Sequence, residues 1–389
     1  MNPLMRKLGM LLVLLALAAC RDPISLDWKV KLGGSSQSNP LVTDRYIAVG
    51  SEVGLTIVNR DGTIKCTYPA HGEIISAPKK SGARIFFGST NYNFYAITSD
   101  CEELWKFAAR DRIKSDPLVE DSRVYLSSYD GHVYALNAED GRVDWVFPES
   151  GRSVTYYPGG EPVAPEDADE AALAATAALA EQAPKEILEV GDFSYSSPIL
   201  HEGMLYVGNM DGRLYALDAA TGVLRWYYTT SGPLTSTPLI DGNLMFFGSN
   251  DARMHGIDLR SRKNVWTVVT KDWVLSSPRI DNGLVFFGSN DRRVFAVEAD
   301  NGAQIWTSSV STAEVVSSPT PYQDVVIFGG GSGDNHIYAI NKETGEPFWK
   351  YETGGKIYAD PVIKDKKLFV ASTDGHLYAF SLRKTKIKN

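Results

Sequence analysis

Few residues in this chain have the types and spacing that chemistry needs. The six histidines stand at 71, 132, 201, 255, 336 and 376. They form no HExxH run and no zinc-ligand spacing. His132 and His376 each follow Asp-Gly, which reads as hairpin chemistry and not as metal ligation. Aspartates recur at 211, 251, 291 and 374, again at turn positions. Gly329-Gly330-Gly331-Ser332-Gly333-Asp334 has the glycine density of a phosphate cradle. No Lys-Ser/Thr follows it, so a lengthened hairpin is the expectation. No nucleophile elbow is present. The sequence therefore predicts no catalytic residue, no metal and no cofactor.

The three cysteines separate by context. Cys20 ends a leader in which Arg6 and Lys7 precede the apolar run Leu8 to Leu17. That run is short for a membrane span and suits an export signal. Leu17-Ala18-Ala19-Cys20 resembles a lipobox, which implies that residues 1–19 are removed and that Cys20 carries acyl chains such as palmitate. Arg21 follows the cysteine and Asp22 comes one place later. The lipoprotein sorting rule then implies the outer membrane, with the body facing the periplasm. Residues 20–26 form a tether that spans about 20 Å when extended. Cys66 and Cys101 share an oxidising compartment and fall in neighbouring repeats, so a disulfide and two separate thiols are both open. The net charge of −8 argues against nucleic acid as a partner. The basic C-terminal tail, Arg383 to Lys388, is either a solvated end or a contact to anionic headgroups.

The elements that would position any site come from internal repetition. Prolines stand at 40, 78, 117, 198, 238, 278, 319 and 361, and tryptophans at 28, 105, 145, 226, 266, 306 and 349. Cys66 takes the slot where one further tryptophan would fall, and Trp273 lies outside the series. The proline interval is 38 to 42 residues, except for one gap of 81 between Pro117 and Pro198. Each unit reads as four short strands. Leu205-Tyr206-Val207 and Leu214-Tyr215-Ala216-Leu217 flank Asp211-Gly212, and Thr221-Gly222 leads to Trp226. Four antiparallel strands every 40 or so residues predict a β-propeller blade. The last unit, from Pro361 to Phe380, lacks its tryptophan strand, and Asp27-Trp28-Lys29-Val30 is a tryptophan strand without a blade. An all-β ring of eight blades over residues 27–389 follows, closed by the N-terminal strand.

The long gap predicts an insertion over residues 149–191, between the third and fourth blades. Its middle, Glu166 to Ala183, is dominated by Ala, Leu, Glu and Asp, so a helix is expected there, limited by Pro184. Tyr156 and Tyr157 precede it and are the most interface-like residues of the segment. The insertion reads either as a solvated decoration or as a partner-docking arm.

The Ala216-Leu217-Asp218, Thr221-Gly222 and Trp226 run resembles the PQQ-like propeller repeat, over essentially the whole mature chain. Quinoprotein enzymes share that repeat, but their calcium ligands and adjacent cysteine pair have no counterpart here. A lipidated eight-bladed ring of this length resembles the BamB family, components of the outer-membrane β-barrel assembly machinery. The resemblance implies a non-enzymatic scaffold that contacts a BamA-like barrel subunit through interblade loops. The short tether and the insertion have no match in that pattern, so no contact residues are carried over. An adaptor with another partner, and a propeller binding a small ligand or quinone, are the alternatives.

Overall fold

The computed structural model describes residues 22–120, 122–158, 176, 178, 179, 183 and 185–383. Eight four-stranded antiparallel sheets form the ring, and a separate two-stranded sheet lies between the third and fourth. Blade 4 is representative. Its strands, from the channel outwards, are Ile199–His201, Met204–Gly208, Arg213–Asp218 and Leu224–Thr229. The two middle strands of each blade are packed on both faces, so they are apolar almost throughout, as in Phe246-Phe247 and Phe286-Phe287. Outer strands alternate, and Lys263–Val269 buries only Trp266 fully.

Closure is as the repeat predicts. Ile24–Lys31 pairs with His376–Leu382 and becomes the outer strand of blade 8, with Trp28 opposite Ala379. The strand begins at Ile24, three residues earlier than the sequence predicts. Cys20 lies outside the described residues.

A repeated dock holds neighbouring blades together. At five joints the tryptophan of one blade lies flat on the glycine of the next blade's outer turn, and at the blade 4–5 joint Arg262 takes the glycine slot and lies over Trp226. A Cβ on Gly141 would fall 2.6 Å from the Trp105 ring, and one on Gly222 2.6 Å from the Trp145 ring. Trp266 donates its indole N–H to the Ala299 carbonyl at 2.8 Å, and Trp306 donates to Lys342 at 2.9 Å. The blade 1–2 joint uses other residues in the same two slots. Cys66 stands at the tryptophan position. Cys101 stands at the glycine position, in the left-handed region at φ 64°. Their sulfurs are joined, with Cα atoms 6.2 Å apart.

The insertion adds an element that the sequence reading lacks. Thr176, Ala178 and Leu179, within the stretch expected to be helical, are helical. Outside that stretch the excursion builds a ribbon in which Ser153–Tyr156 pairs antiparallel with Glu186–Glu189. Val154 and Leu188 turn inward, while Ile187 is 72% exposed. The Tyr156 ring meets Tyr227 of blade 4 edge-on at 5.3 Å, and Tyr227 donates to Glu186 at 2.5 Å. Period-two alternation at both ends, with an apolar stripe that a blade can cover, decides the local structure. The alanine-rich middle, 166–183, lies almost wholly outside the described residues.

Candidate functional site

Each blade's inner strand faces the central channel with period two. The facing slots lie three before, one before and one after each repeat proline. The slot just before proline makes a hydrogen-bonded belt. Asp116 accepts the Ala77 amide, Ser197 the Asp116 amide, Thr237 the Ser197 amide and Ser277 the Thr237 amide, at 2.6 to 3.1 Å. Ser318, Asp360 and Asn39 continue it. Only the Asn39 amide finds no such acceptor, because Ala77 has none to offer. Lys79 and Arg279 neutralise the two belt aspartates, at 3.8 Å from Asp116 and 2.8 Å from Asp360. Burial pushes the Asp116 carboxyl above its ordinary value, and Lys79 opposes that.

The channel encloses about 1260 Å³. Its walls change character towards one mouth, on the face that carries the Asp-Gly hairpins and the blade-to-blade connections. Tyr129, Tyr195, Met210, Trp273 and Tyr358 gather there. Trp273 is 49% exposed, Tyr195 46% and Met210 39%. Lys114 holds Tyr129 and Tyr195 together. Its ammonium lies 5.2 Å and 4.9 Å from the two ring centres, and it donates to the Tyr195 hydroxyl at 3.1 Å. The Arg112 guanidinium also lies over the Tyr129 ring, at 4.7 Å. Burial, and Tyr195 beside it, push the Tyr129 phenol well above its ordinary value, so it stays neutral. These rings and cations can bind apolar and aromatic side chains, carboxylates and extended peptide. They contain no nucleophile–base pair.

The other residues with chemical potential are absorbed by the framework. The recurring aspartate sits at a joint. Asp130, Asp211, Asp334 and Asp374 each accept from the tyrosine hydroxyl four residues on, at 2.5 to 2.7 Å. Asp130, Asp334 and Asp374 also accept a backbone amide from the preceding blade-to-blade connection. Asp251 pairs with His255 in the same way, and Asp291 with Arg293. His132, His336 and His376 lie against their own joint aspartates. Among the described residues no three His, Cys, Asp or Glu side chains come close enough to hold a metal ion. The glycine-rich hairpin is no open cradle, because the Glu314 carboxylate accepts the Ser332 amide at 2.7 Å and fills it.

Tyr156 is committed to the ribbon's contact with blade 4, and Tyr157 beside it is half-buried. The ribbon rises on the same face as the aromatic mouth, since it leaves the outer strand of blade 3 and returns to the inner strand of blade 4. Tyr129, Tyr195, Met210, Trp273 and Tyr358 escaped the sequence reading as site residues. Two of them, Tyr195 and Tyr358, occupy the slot three before the proline, and that slot was the usable signal. It is filled by Gln37, Ile75, Lys114, Tyr195, Thr235, Leu275, Val316 and Tyr358, all on the channel wall.

A family model described as outer membrane protein assembly factor BamB matches residues 25–179, 167–316, 251–335 and 290–388. The outer membrane protein assembly factor BamB of Moranella endobia (strain PCIT) is 21% identical over 222 residues, 52% of this chain and 46% of that protein. The match therefore spans about half of that relative's length. The crystal structure of BamB from Moraxella catarrhalis aligns with a TM-score of 0.69 at 15% identity, over 92% of this chain and 99% of that one. The computationally designed Ika8 protein aligns with a TM-score of 0.70 at 12% identity, over 90% and 98%. A designed chain fits as well as a natural one, so this likeness concerns the fold and carries no function by itself.

Proposed function

Because this chain belongs to the outer membrane protein assembly factor BamB family, we propose that it is a non-enzymatic scaffold in the assembly of outer-membrane β-barrel proteins. In this reading Cys20 is lipidated, the ring is held at the outer membrane facing the periplasm, and its partner is a BamA-like barrel subunit. The observation that carries the docking role is the exposure of Trp273, Tyr195 and Met210 around one channel mouth. Aromatic and methionine side chains on a rigid rim are what protein interfaces concentrate, and leaving them in water is unfavourable. The ribbon widens that face, with Ile187 and Tyr157 as its own contribution.

Co-purification from detergent-solubilised membranes tests the role. Recovery of a BamA-like subunit with the wild-type chain is expected, and a Trp273→Ala/Tyr195→Ala chain should recover about tenfold less. Recovery of an unrelated complex without that subunit would sink the barrel-assembly role. Unchanged recovery with the double variant would exclude the aromatic mouth as the docking surface. Removing residues 151–189 separately reports on the ribbon: if partner recovery is unaltered, the ribbon is not a docking arm.

A further inference from the structure

The face opposite the aromatic mouth carries a basic sector, although the chain as a whole has a formal net charge of −8. The hairpins between the first and second strands of blades 8, 1 and 2 meet there. They bring Lys364 and Lys366, Arg45 and Lys80 together. Lys364 lies 2.5 Å from Asp44, and Arg60 lies 3.1 Å from Asp365. The hydrogen bond from Lys364, its charge, and the nearby charges of Arg60 and Lys80 hold the Asp44 carboxyl below its ordinary value. Among the described residues, Arg45, Lys80, Lys366 and Arg383 are exposed with no carboxylate at ion-pair distance. Further round the same face the sign reverses, at Asp300, Asp324 and Glu343 on blades 6 and 7, whereas the outer turn of blade 5 carries Arg260, Arg262 and Lys263.

The chain enters the ring at this basic sector. The Pro23 carbonyl accepts the Arg383 amide at 3.0 Å, and the Lys366 carbonyl accepts the Leu382 amide at 2.8 Å. Pro23 thus lies at the outer edge of blade 8 beside Arg383, and the end of the last strand separates it from the Lys366 hairpin. The segment that precedes residue 22 includes the apolar run Leu8 to Leu17 and Cys20. A membrane-attached N-terminus on so short a tether brings these cations to within about a Debye length of headgroup phosphates.

We propose that the sector formed by Arg45, Lys80, Lys364, Lys366 and Arg383 rests on anionic phospholipid headgroups and sets the ring's tilt. Blades 8, 1 and 2 lie against the bilayer, the acidic sector of blades 6 and 7 is lifted by repulsion, and the aromatic mouth is turned away from the lipid. This rests on the reading that the N-terminus is membrane-attached, but the contact itself is separable from the anchor.

The test uses the full chain and its Cys20→Ala variant, which cannot be acylated, in co-sedimentation with two vesicle types. One is phosphatidylcholine alone and the other includes phosphatidylglycerol. Both chains should bind more strongly when phosphatidylglycerol is present, and salt should remove that preference. Arg45→Gln/Lys80→Gln/Lys366→Gln should lower the phosphatidylglycerol-dependent part about tenfold or more. Arg260→Gln/Lys263→Gln/Lys271→Gln, which removes equal charge elsewhere, should leave most of it. Binding indifferent to phosphatidylglycerol, or equal losses from the two triple variants, would overturn the proposal. A chain that fractionates with membranes through Cys20 yet ignores headgroup charge overturns the contact alone. A Cys20→Ala chain that is unchanged in its cellular fractionation, but keeps the vesicle preference, overturns the anchor alone.

Discussion

At the residue scale, the side chains with chemical potential are spent on holding turns. The joint aspartates show how. Burial alone would disfavour the Asp130 carboxylate, but hydrogen bonds from His132, the Arg110 amide and Tyr134 outweigh it and keep its pKa below the ordinary value. Asp251, Asp334 and Asp374 are depressed by the same balance of burial against hydrogen bonds. A folded-state pKa below the unfolded value of about 3.9 gives stability that is present above that value. That stability is lost as pH falls through the depressed folded values. Melting temperature should therefore hold from neutral pH to about 5 and fall steeply below about 4. Asp374→Asn should flatten that acid limb while lowering the plateau by about 1–3 kcal/mol, read from thermal melts across pH. An acid limb unchanged in the variant would remove Asp374 from the account.

At the element scale, the unit of stability is the dock between blades. Trp266→Ala removes a flat ring from Gly302 and leaves the Ala299 carbonyl without its donor. A loss of about 3–5 kcal/mol is expected in denaturant unfolding. The blade 1–2 joint has the same geometry with a covalent bond in place of an aromatic ring. Cys66→Ser should cost about 2–4 kcal/mol. Cys66→Trp combined with Cys101→Gly should recover much of that loss, because the two substitutions restore the tryptophan and glycine found at five other docks. If the double variant is no more stable than Cys66→Ser, the two slots are not equivalent. The repeat frame contained this relation, since Cys101 precedes Trp105 by the same four residues that separate Gly141 from Trp145. The signal was missed because glycine's role in the turn becomes visible only when the neighbouring blade lies against it.

At the scale of the whole molecule, closure is the decisive event. The strand Ile24–Lys31 covers Phe369 and Phe380, and brings Trp28 onto Gly62 of blade 1. It is the one outer strand supplied from the far end of the chain. Deleting residues 24–31 should expose the edge of blade 8 and uncouple blades 8 and 1. The expected outcome is a broadened unfolding transition, a melting temperature more than about 10 °C lower and concentration-dependent aggregation. A sharp transition at the wild-type temperature would mean that the ring closes without this strand.

The repeat interval, the tryptophan and proline rulers and the orphan strand at Trp28 were enough to determine eight blades and the way they close. Those features are local or periodic, so they survive in one dimension. The mouth was a different case. Tyr129, Tyr195, Met210, Trp273 and Tyr358 come from separate repeats, and only ring closure brings them to one rim. The ribbon was missed for a related reason. Its two strands are separated by the whole excursion, and neither strand alone shows that the other, and blade 4, will cover its apolar side. Long-range pairing and burial against a neighbour are decided by tertiary structure, because the free energy belongs to the contact and not to either segment.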